Sequence, residues 1–533
     1  MARGKTPIPL DLPLLAAQPV KDGCVTKQEG AYRALRDAIL ERLLPQGTRL
    51  PSSRVLAQRW RLSRGTVECA FDRLRAEGYV TRLGGSGTRV CAVIPDSYLR
   101  PAPGRAGGAD AGRVASTPSP LCGVVEASAV GASMAGAPKL GAPEAETAVR
   151  GIPAPAAPVT AGAQVGVPFV AKLANPRLFS TATWVRHVQR AVAAASPEQW
   201  SSAQANGMAA LREQIAGTLR LHRGIACGAD DIIVTTGIRH AIDLIARSLL
   251  GPGDKVCVED PGYRAVQSIF ELAGAAPVHA PVDDEGIDID VIRGHDAVRL
   301  AYVTPAHQSP LGVTMSASRR LALLDWAASR DAWIVEDDYD SEFNYQSSPL
   351  PALKAIDRAD RVIYCGSFNQ ALFSNLRIGY MLAPPDVRTR VLALWRTIGR
   401  SVGVTEQLGL ADFIRGGAFA QHLRVARIEY LALRDIVLRE FAALAPGRYG
   451  ISGSEAGFHF ILWLPPGWRE AAFCDAAADA GVALQALGSL CHRVVLPPAV
   501  VVGYTGLRPT QARFAARKLG RLLASEPPVS PGT

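Results

Sequence analysis

Five short apolar runs lie between residues 231 and 367. The last or next-to-last residue of each run is a group that could contact a ligand. The runs cover residues 231–237, 255–260, 298–305, 332–338 and 361–367, and the groups at their ends are Gly237, Asp260, Pro305, Asp337 and Ser367. Carboxyl ends of parallel strands meet at one edge of a sheet, and open α/β folds bind ligands at that edge. The spacing therefore predicts one site lined by these positions.

One stretch has a layout that lacks an expected residue type. Residues 363 to 380, IYCGSFNQALFSNLRIGY, contain a short apolar strand pattern, a turn of small residues and an arginine before Gly-Tyr. The stretch contains no lysine, so it has no amine that could form an imine with a carbonyl compound.

The segments between these runs have helical periodicity, as in RHAIDLIARSLL and ASRRLALLDWAASR. Buried β-branched strands that alternate with amphipathic helices are typical of an α/β domain with a mostly parallel sheet. We expect this domain to cover residues 169–525, followed by a tail at 526–533. It would carry the ligand edge described above.

The N-terminal fifth of the chain has a different chemistry. Residues 1–100 contain 17 Lys and Arg against 9 Asp and Glu, whereas the whole chain of 533 residues has a net charge of +10. Such an asymmetry predicts a module that binds a polyanion. Between Tyr98 and Phe169 there is no aromatic residue, and Ala, Gly, Pro and Ser dominate. We expect a mobile linker at 96–168, after an N-terminal arm at 1–24 and a small domain at 25–95.

The small domain has three helical patterns and a glycine-rich hairpin pattern. The residues expected to form its core are Tyr32, Leu35, Ile39, Leu43, Val55, Leu56, Trp60, Val67, Ala70, Phe71 and Leu74. Ser52 and Ser53 can cap the second helix, and Ser63 can cap the third after a very short turn. Two helices joined so tightly predict a helix-turn-helix, and the sequence YVTRLGGSGTRV predicts a wing hairpin.

Several polar residues would then face a DNA duplex. Arg64, Gly65, Thr66 and Glu68 lie on the exposed first turns of the third helix, the part that enters a major groove. The wing residues that could reach the backbone or minor groove are Arg82, Gly85, Ser86, Thr88 and Arg89. Each arginine taken singly could belong to a solvated face, and GGSG could be a plain turn. The charge excess and the spacing together favour double-stranded DNA as the partner.

Residues 31 to 92 resemble the GntR-type winged helix, through LPSSRVLA, LSRGTVECAFDRLRAEGYV and GSGT. This resemblance implies phosphate and base contacts from Arg54, Arg64 and Thr66, beside Ser63 at the helix start. The complete chain is similar to the MocR-type regulators, whose second domain resembles fold-type I aminotransferases. Four ordered motifs carry that similarity: VTTGIRHAIDLIARSLLGPGDKVCVEDPGY, VTPAHQSPLG, IVEDDYDSEFNY and GSFNQALFSNLRIGY.

The second resemblance implies a site for pyridoxal phosphate. Asp337 would keep the ring nitrogen protonated, Tyr339 would reach the phenolic oxygen, and Tyr263 would stack on the ring face. Gly237, Ser367 and Arg377 would hold the phosphate. The plainer alternative is that Asp337 and Asp338 are polar strand ends and that Tyr263 is an ordinary turn aromatic.

The chain departs from the family pattern at its central position. Gln370 stands where the family carries its Schiff-base lysine, and an amide can neither form the imine nor move a proton from Cα. Ile238 and Arg239 replace small or polar residues, Ser202 stands where a tyrosine is expected, and Val501 lies about where many relatives have an arginine. Among other lysines, Lys354 is expected on a surface turn and Lys255 at the wrong end of a strand.

We therefore expect a transcription regulator that is no transaminase, has no catalytic residue and no metal site, and binds pyridoxal phosphate non-covalently if it binds it. Its second domain would sense a small effector of amino acid or vitamin B6 type and would form a homodimer. The alternative is an active or residual pyridoxal-phosphate-dependent aminotransferase that carries a DNA-binding domain. No apolar run is long enough for a membrane span, and the nine scattered cysteines suggest free thiols, so we expect a cytoplasmic protein.

Overall fold

We describe the protein from a computed structural model. The described residues are 31–32, 34–35, 38–39, 44, 47–76, 80–83, 87–90, 167–171, 173–201, 204–345, 351–399 and 401–527. The predicted arm, nearly all of the predicted linker, most of the tail, and Leu43, Gly85, Ser86 and Ser202 lie outside these ranges, as does the side chain of Arg82. The predictions made for them stay predictions.

The N-terminal domain contains the predicted helix-turn-helix. The described residues between 31 and 39 are helical, and they are followed by α1 (Ser53–Trp60) and α2 (Arg64–Ala76). Ser52 caps α1 by accepting the Val55 N–H, and α1 ends at Arg61, which adopts the left-handed conformation at φ 53°. Arg61 therefore turns the chain, and α2 begins three residues later.

Among the described residues, the core of this domain is as predicted with one exception. Its buried side chains include Tyr32, Leu35, Ile39, Leu56, Trp60, Val67, Ala70 and Leu74. Phe71 packs against them and is partly buried. Val55 was expected inward but is 43% exposed. It follows the cap by three residues, and the buried stripe of this short helix falls on Leu56, Ala57 and Trp60 instead.

The wing is a two-stranded antiparallel hairpin of β1 (Val80–Leu83) and β2 (Gly87–Val90). The chain before α1 extends it, because Leu50 N–H donates to Thr88 O and Val90 N–H donates to Thr48 O. Arg89 also donates from Nη1 to Gly47 O at 3.0 Å. This arginine, expected to reach toward DNA, is bound to the domain's own backbone.

The larger domain alternates strands and helices. Its strands are β3 (Ile232–Thr235), β4 (Lys255–Asp260), β5 (Ala276–Asp283), β6 (Gly286–Ile287), β7 (Val298–Val303), β8 (Trp333–Asp338), β9 (Val362–Ser367), β10 (Gly379–Leu382), β11 (Gly450–Ser452), β12 (His459–Trp463), β13 (Gln485–Ala486) and β14 (Ala499–Gly503). Its helices are α3 (Thr181–Ala193), α4 (Pro197–Ser201), α5 (Ala209–His222), α6 (Ile238–Leu249), α7 (Arg264–Leu272), α8 (Ile289–Arg293), α9 (Ala317–Ser329), α10 (Leu353–Ile356), α11 (Pro385–Ile398), α12 (Val404–Arg415), α13 (Ala418–Leu444), α14 (Glu470–Asp479) and α15 (Pro509–Ala524).

Eight strands form one sheet in the order β3-β10-β9-β8-β7-β4-β5-β6. The neighbours from β5 through β4, β7 and β8 to β9 are parallel, whereas β10 is antiparallel to both β9 and β3. The central strands are buried along nearly their whole length, which is typical of parallel strands covered by helices on both faces. The sheet is therefore mostly parallel, as predicted.

Helices cover both faces of this sheet and also build a separate C-terminal layer. One face packs on α6, α7 and α11, and the other packs on α8 and α9. The four remaining strands form an antiparallel sheet in the order β11-β12-β14-β13, which packs with α13 to α15 in the largest apolar core. Across the described ranges, no helix is long and apolar enough to cross a membrane.

Candidate functional site

The predicted ligand positions meet at one edge of the eight-stranded sheet. Because β10 is antiparallel to both neighbours, β3 and β9 run in the same direction and end at the same edge of the sheet, on either side of β10. Gly379 at the start of β10 pairs with Thr235 on one side and with Ser367 on the other. Asp337 lies near the end of β8, where it pairs with Cys365 of β9. The sheet thus brings Gly237, Asp337 and Ser367 to the same edge.

Gly237 gives α6 a tightly packed N-terminus. Its φ of 106° lies in the region that L side chains avoid, and it is the N-cap of α6 without a capping side chain. A Cβ on Gly379 would lie 2.8 Å from Gly237 Cα, so the two backbones can approach only as glycines. The first N–H groups of a 12-residue helix point toward this edge, and such groups attract anions.

Asp337 is buried and bound by a tyrosine that the sequence did not indicate. The Tyr302 hydroxyl of β7 donates to Asp337 Oδ2. Burial, and then the neighbouring Asp337 carboxylate, raises the pKa of Tyr302 well above its usual value, so this hydroxyl keeps its proton. The bond fixes the direction of the carboxylate that is predicted to meet a ring nitrogen.

Tyr339 belongs to a second buried cluster beyond β8. Its hydroxyl lies 3.1 Å from Nδ1 of His307, and the same nitrogen lies 2.7 Å from Asp340 Oδ2. Burial is the main reason that the pKa of Tyr339 lies well above its usual range, with the Asp340 carboxylate second. The hydroxyl predicted to reach a ligand oxygen therefore stays protonated, beside a His-Asp pair.

The turn after β9 carries two neighbouring side-chain amides. Asn369 N–H donates to Ser367 Oγ at 3.2 Å, and the Asn369 side chain lies close to Gly237. The amide oxygens of Asn369 and Gln370 are both inaccessible and accept no hydrogen bond from the described residues. Gln370 lies in the turn that follows Ser367. The side chain at this position of the ligand edge is therefore a neutral amide and not the amine of a lysine.

Tyr263, predicted to stack on a ring, is held by an arginine. Arg239 on the first turn of α6 donates from Nε to the Tyr263 hydroxyl at 2.8 Å. Its guanidinium carbon lies 5.6 Å from the centre of the Tyr263 ring. A cation, at the position where the resemblance implies a different polar residue, therefore links the first turn of α6 to the predicted stacking residue.

Arg377 is exposed and adopts the left-handed conformation at φ 55°. Among the described residues no hydrogen bond or ion pair holds its side chain, and its predicted contact with a phosphate stays a prediction. Its backbone position, two residues before Gly379, is at the correct edge.

The alternative lysines lie elsewhere. Lys354, expected on a surface turn, lies in the short helix α10, and its Nζ binds Asp357 at 3.2 Å and Asp360 at 2.5 Å. Its side chain is only 12% exposed because the two carboxylates draw it against the domain. Lys255 begins β4, at the opposite edge from the ligand positions, as predicted. Val501 is buried in β14 between β12 and β13.

Three of the predicted DNA-contacting residues, Ser63, Arg64 and Thr66, lie at the start of α2. Ser63 Oγ accepts the Thr66 N–H at 3.1 Å, which confirms its capping role. Arg54 and Arg64 are exposed. Thr88 is half-buried in the wing strand β2. The helix-turn-helix therefore presents Arg64 and Thr66 on the first turn of α2, and Arg54 is exposed on α1.

The two domains each match a protein family. Residues 27–90 match the bacterial regulatory proteins of the gntR family, and residues 174–497 match aminotransferase class I and II. The chain is 31% identical to the probable rhizopine catabolism regulatory protein MocR of Rhizobium meliloti over 94% of each chain. It is 33% identical to the pyridoxine biosynthesis transcriptional regulator PdxR of Corynebacterium glutamicum over 76% of each chain.

Solved structures agree with the larger domain. A kynurenine aminotransferase of Pyrococcus horikoshii, crystallised with PMP, is similar with a TM-score of 0.61 and 26% identity, over 67% of this chain and 90% of that one. The match to the Rhizobium meliloti regulator extends over 499 residues and so spans both of the matched family regions of this chain. The chain therefore belongs to the MocR-type transcriptional regulators, in which a GntR winged helix is joined to a domain with the class I and II aminotransferase fold.

Proposed function

We propose that this regulator binds a specific DNA sequence and that its aminotransferase-like domain senses a small effector without transaminating it. The observation that carries the proposal is Gln370, an amide in the turn where the resemblance places the Schiff-base lysine. An amide nitrogen is neither basic nor nucleophilic, so the covalent step of pyridoxal phosphate chemistry has no amine at this position. A site without that step can still bind.

The residues at the sheet edge fit a non-covalent ligand of vitamin B6 type in part. A phosphate suits the α6 N-terminus, where Gly237 and Gly379 lie in close backbone contact, and it suits the Ser367 hydroxyl. Asp337, held by Tyr302, suits a protonated ring nitrogen. When bound, pyridoxal phosphate supplies an electron sink for amino acid chemistry. The amide oxygens of Asn369 and Gln370 would accept hydrogen bonds from the ligand in place of the imine.

An effector would act by binding one arrangement of the regulator more tightly than another. Fold-type I domains form two-fold dimers with the site at the interface, so we propose a homodimer that presents two winged helices to paired half-sites. An amino acid, or a compound of vitamin B6 type, is the proposed chemical class of the effector.

A reduction experiment tests the absence of the covalent step. The full chain is incubated with pyridoxal phosphate, reduced with borohydride and mapped by peptide mass spectrometry. We expect no stoichiometric adduct on the wild type, and a single adduct on the introduced lysine in a Gln370→Lys variant. Lys354 serves as an internal control, since its amine is held by two carboxylates. A stoichiometric wild-type adduct would support the alternative, an aminotransferase with a displaced lysine.

A binding experiment tests the DNA contact. Arg64→Ala should weaken operator binding and reduce the salt slope, because it removes a predicted phosphate or base contact. Arg247→Ala removes an arginine from an exposed ion pair of α6 and is the matched control. Unaltered operator affinity and salt slope in Arg64→Ala would refute the proposed role of α2.

A further inference from the structure

A carboxylate lies beside the arginine on the recognition face of α2. Arg64 Nε and Nη2 each lie 3.0 Å from Glu68 Oε1, and the two side chains are 67% and 45% exposed. They are one helical turn apart, outside the stripe formed by the buried residues Val67, Ala70 and Leu74, and Glu68 is half-buried. A phosphate-rich partner repels a carboxylate, so its presence at this position needs an explanation.

The stability of the helix does not provide that explanation. A helix N-terminus favours acidic residues, and an acid placed four residues before a base gives the better ion pair. Here the order is reversed: the base occupies the first position of α2, its first turn contains no acid, and Glu68 comes one turn later. Exposed pairs of this kind contribute little to folding.

A second helix holds the carboxylate in place. Ser53 Oγ, on the first turn of α1, donates to the same Glu68 Oε1 at 3.1 Å. Donors from α1 and α2 thus converge on one oxygen atom, and this contact crosses the turn between the two helices. The directions of both the Glu68 carboxylate and the Arg64 guanidinium are therefore set before any DNA is bound.

We propose that Glu68 is a specificity-determining residue of the DNA interface. Its carboxylate accepts a hydrogen bond from the amino group of a cytosine in the major groove, and it holds Arg64 toward a guanine of a neighbouring base pair. Carboxylates pair with the cytosine N4 donor, and arginine pairs with guanine O6 and N7. This inference rests on the proposed sequence-specific DNA binding and adds which bases α2 reads.

The proposal predicts two opposite effects of the same charge. On a cognate site, the carboxylate gains a donor from the base and Arg64 keeps its direction. On other sequences the Glu68 carboxylate repels phosphates and keeps Arg64 in an ion pair, so non-specific binding is weakened. Glu68 would then raise the ratio of specific to non-specific affinity, because it strengthens the first and weakens the second.

The experiment starts by enriching bound sequences from a pool of random DNA duplexes with the full wild-type chain. Affinities for the enriched duplex and for an unrelated duplex are then measured over a range of salt concentrations. For Glu68→Gln we expect the ratio of the two affinities to fall by about tenfold or more, with lost preference for cytosine at one position. The salt slope on the unrelated duplex should steepen by about one, because Arg64 becomes available to a phosphate.

Two further variants separate positioning from charge. Ser53→Ala keeps the carboxylate but removes its contact with α1, so the ratio should fall by less than in Glu68→Gln. Glu271→Gln removes an exposed acid from α7 and should change neither affinity. Thermal unfolding of each variant checks that the fold is unchanged.

The outcomes distinguish this inference from the function it rests on. If the wild type enriches no sequence, both are overturned. If it enriches a sequence and Glu68→Gln keeps the same base preferences and affinity ratio, the regulator function remains and the role of Glu68 is overturned. If Glu68→Gln loses the cytosine preference and has a normal melting curve, both the regulator function and the role of Glu68 are supported.

Discussion

Glu259 carries a buried carboxyl group near the end of β4, and the residue is only 4% exposed. It accepts hydrogen bonds from the Thr304 N–H at 3.0 Å, from the Thr304 hydroxyl at 2.6 Å and from Gln308 at 3.2 Å. Burial raises the pKa of Glu259 to about 7, although these donors act in the opposite direction. The residue therefore takes up a proton on folding in weakly acidic solution.

This pKa predicts how stability depends on pH. Between the unfolded pKa of about 4.3 and the folded pKa, the folded protein binds more protons, so its free energy of unfolding falls as pH rises through this window. Glu259→Gln should flatten that slope and should raise stability at pH 8 by about 1 to 3 kcal/mol. Denaturant unfolding at several pH values measures the slope. Glu271→Gln, at an exposed position, is the control, and an unchanged slope in Glu259→Gln would contradict the shift.

At the scale of elements, the end of β4 holds the segment that leads into β14. Asp260 is fully buried, and its carboxylate accepts the N–H groups of His492, Arg493 and Val494 at 2.8, 2.7 and 3.1 Å. One side chain of the parallel sheet thus supplies the acceptors for three consecutive residues of the C-terminal layer. The loop is ordered by this contact rather than by a helix or strand of its own.

Asp260→Ala should therefore release this loop. Three N–H groups lose a charged acceptor, and bonds of that kind contribute about 1.5 to 3 kcal/mol each, with water replacing part of the loss. We expect a destabilisation of about 3 kcal/mol and faster hydrogen exchange at residues 492–494, measured by mass spectrometry. Asp243→Ala breaks only an exposed ion pair on α6 and should leave both unchanged. Equal exchange at 492–494 in both variants would exclude the anchoring role.

The elements differ in how far the sequence alone could predict them. Runs such as 255–260 and 361–367 are apolar, β-branched and bounded by turns, so β4 and β9 lie where they were expected. The four-residue β10 has no such signal, because its antiparallel place between β3 and β9 depends on neighbours far along the chain. The Val55 error has a similar origin, since helical periodicity alone does not set which side of a two-turn helix is covered.

Three strand-end positions of the candidate site could be predicted from the sequence, whereas the side-chain contacts around them could not. Strand ends and motif order placed Gly237, Asp337 and Ser367 at one edge, as the sheet confirms. The pairing of Tyr302 with Asp337 joins two strands 35 residues apart and has no local signature. Alternation along the buried β7 could have shown that Tyr302 shares a face with Asp337, but not that their oxygen atoms meet.

At the scale of the whole molecule, the proposed homodimer sets how the regulator reads DNA. Two winged helices in one assembly make the second contact intramolecular, and such linkage raises the overall affinity by about 10² to 10⁴ when the geometry permits both contacts. Two-fold symmetry of the dimer would favour an operator with two related half-sites. A single half-site should then leave one winged helix without a specific contact.

This symmetry predicts a difference between duplexes that carry two copies and one copy of the half-site enriched by the full chain. The two-copy duplex should bind about 100-fold more tightly, with a salt slope about twice as steep, because roughly twice as many phosphates are neutralised. Sedimentation or native mass spectrometry should find two protein chains on it. A duplex of equal length with one half-site scrambled is the control. Equal affinity for both duplexes, with one chain bound to each, would mean that the winged helix acts alone, and the aminotransferase-like domain would then have to influence DNA binding within a single chain.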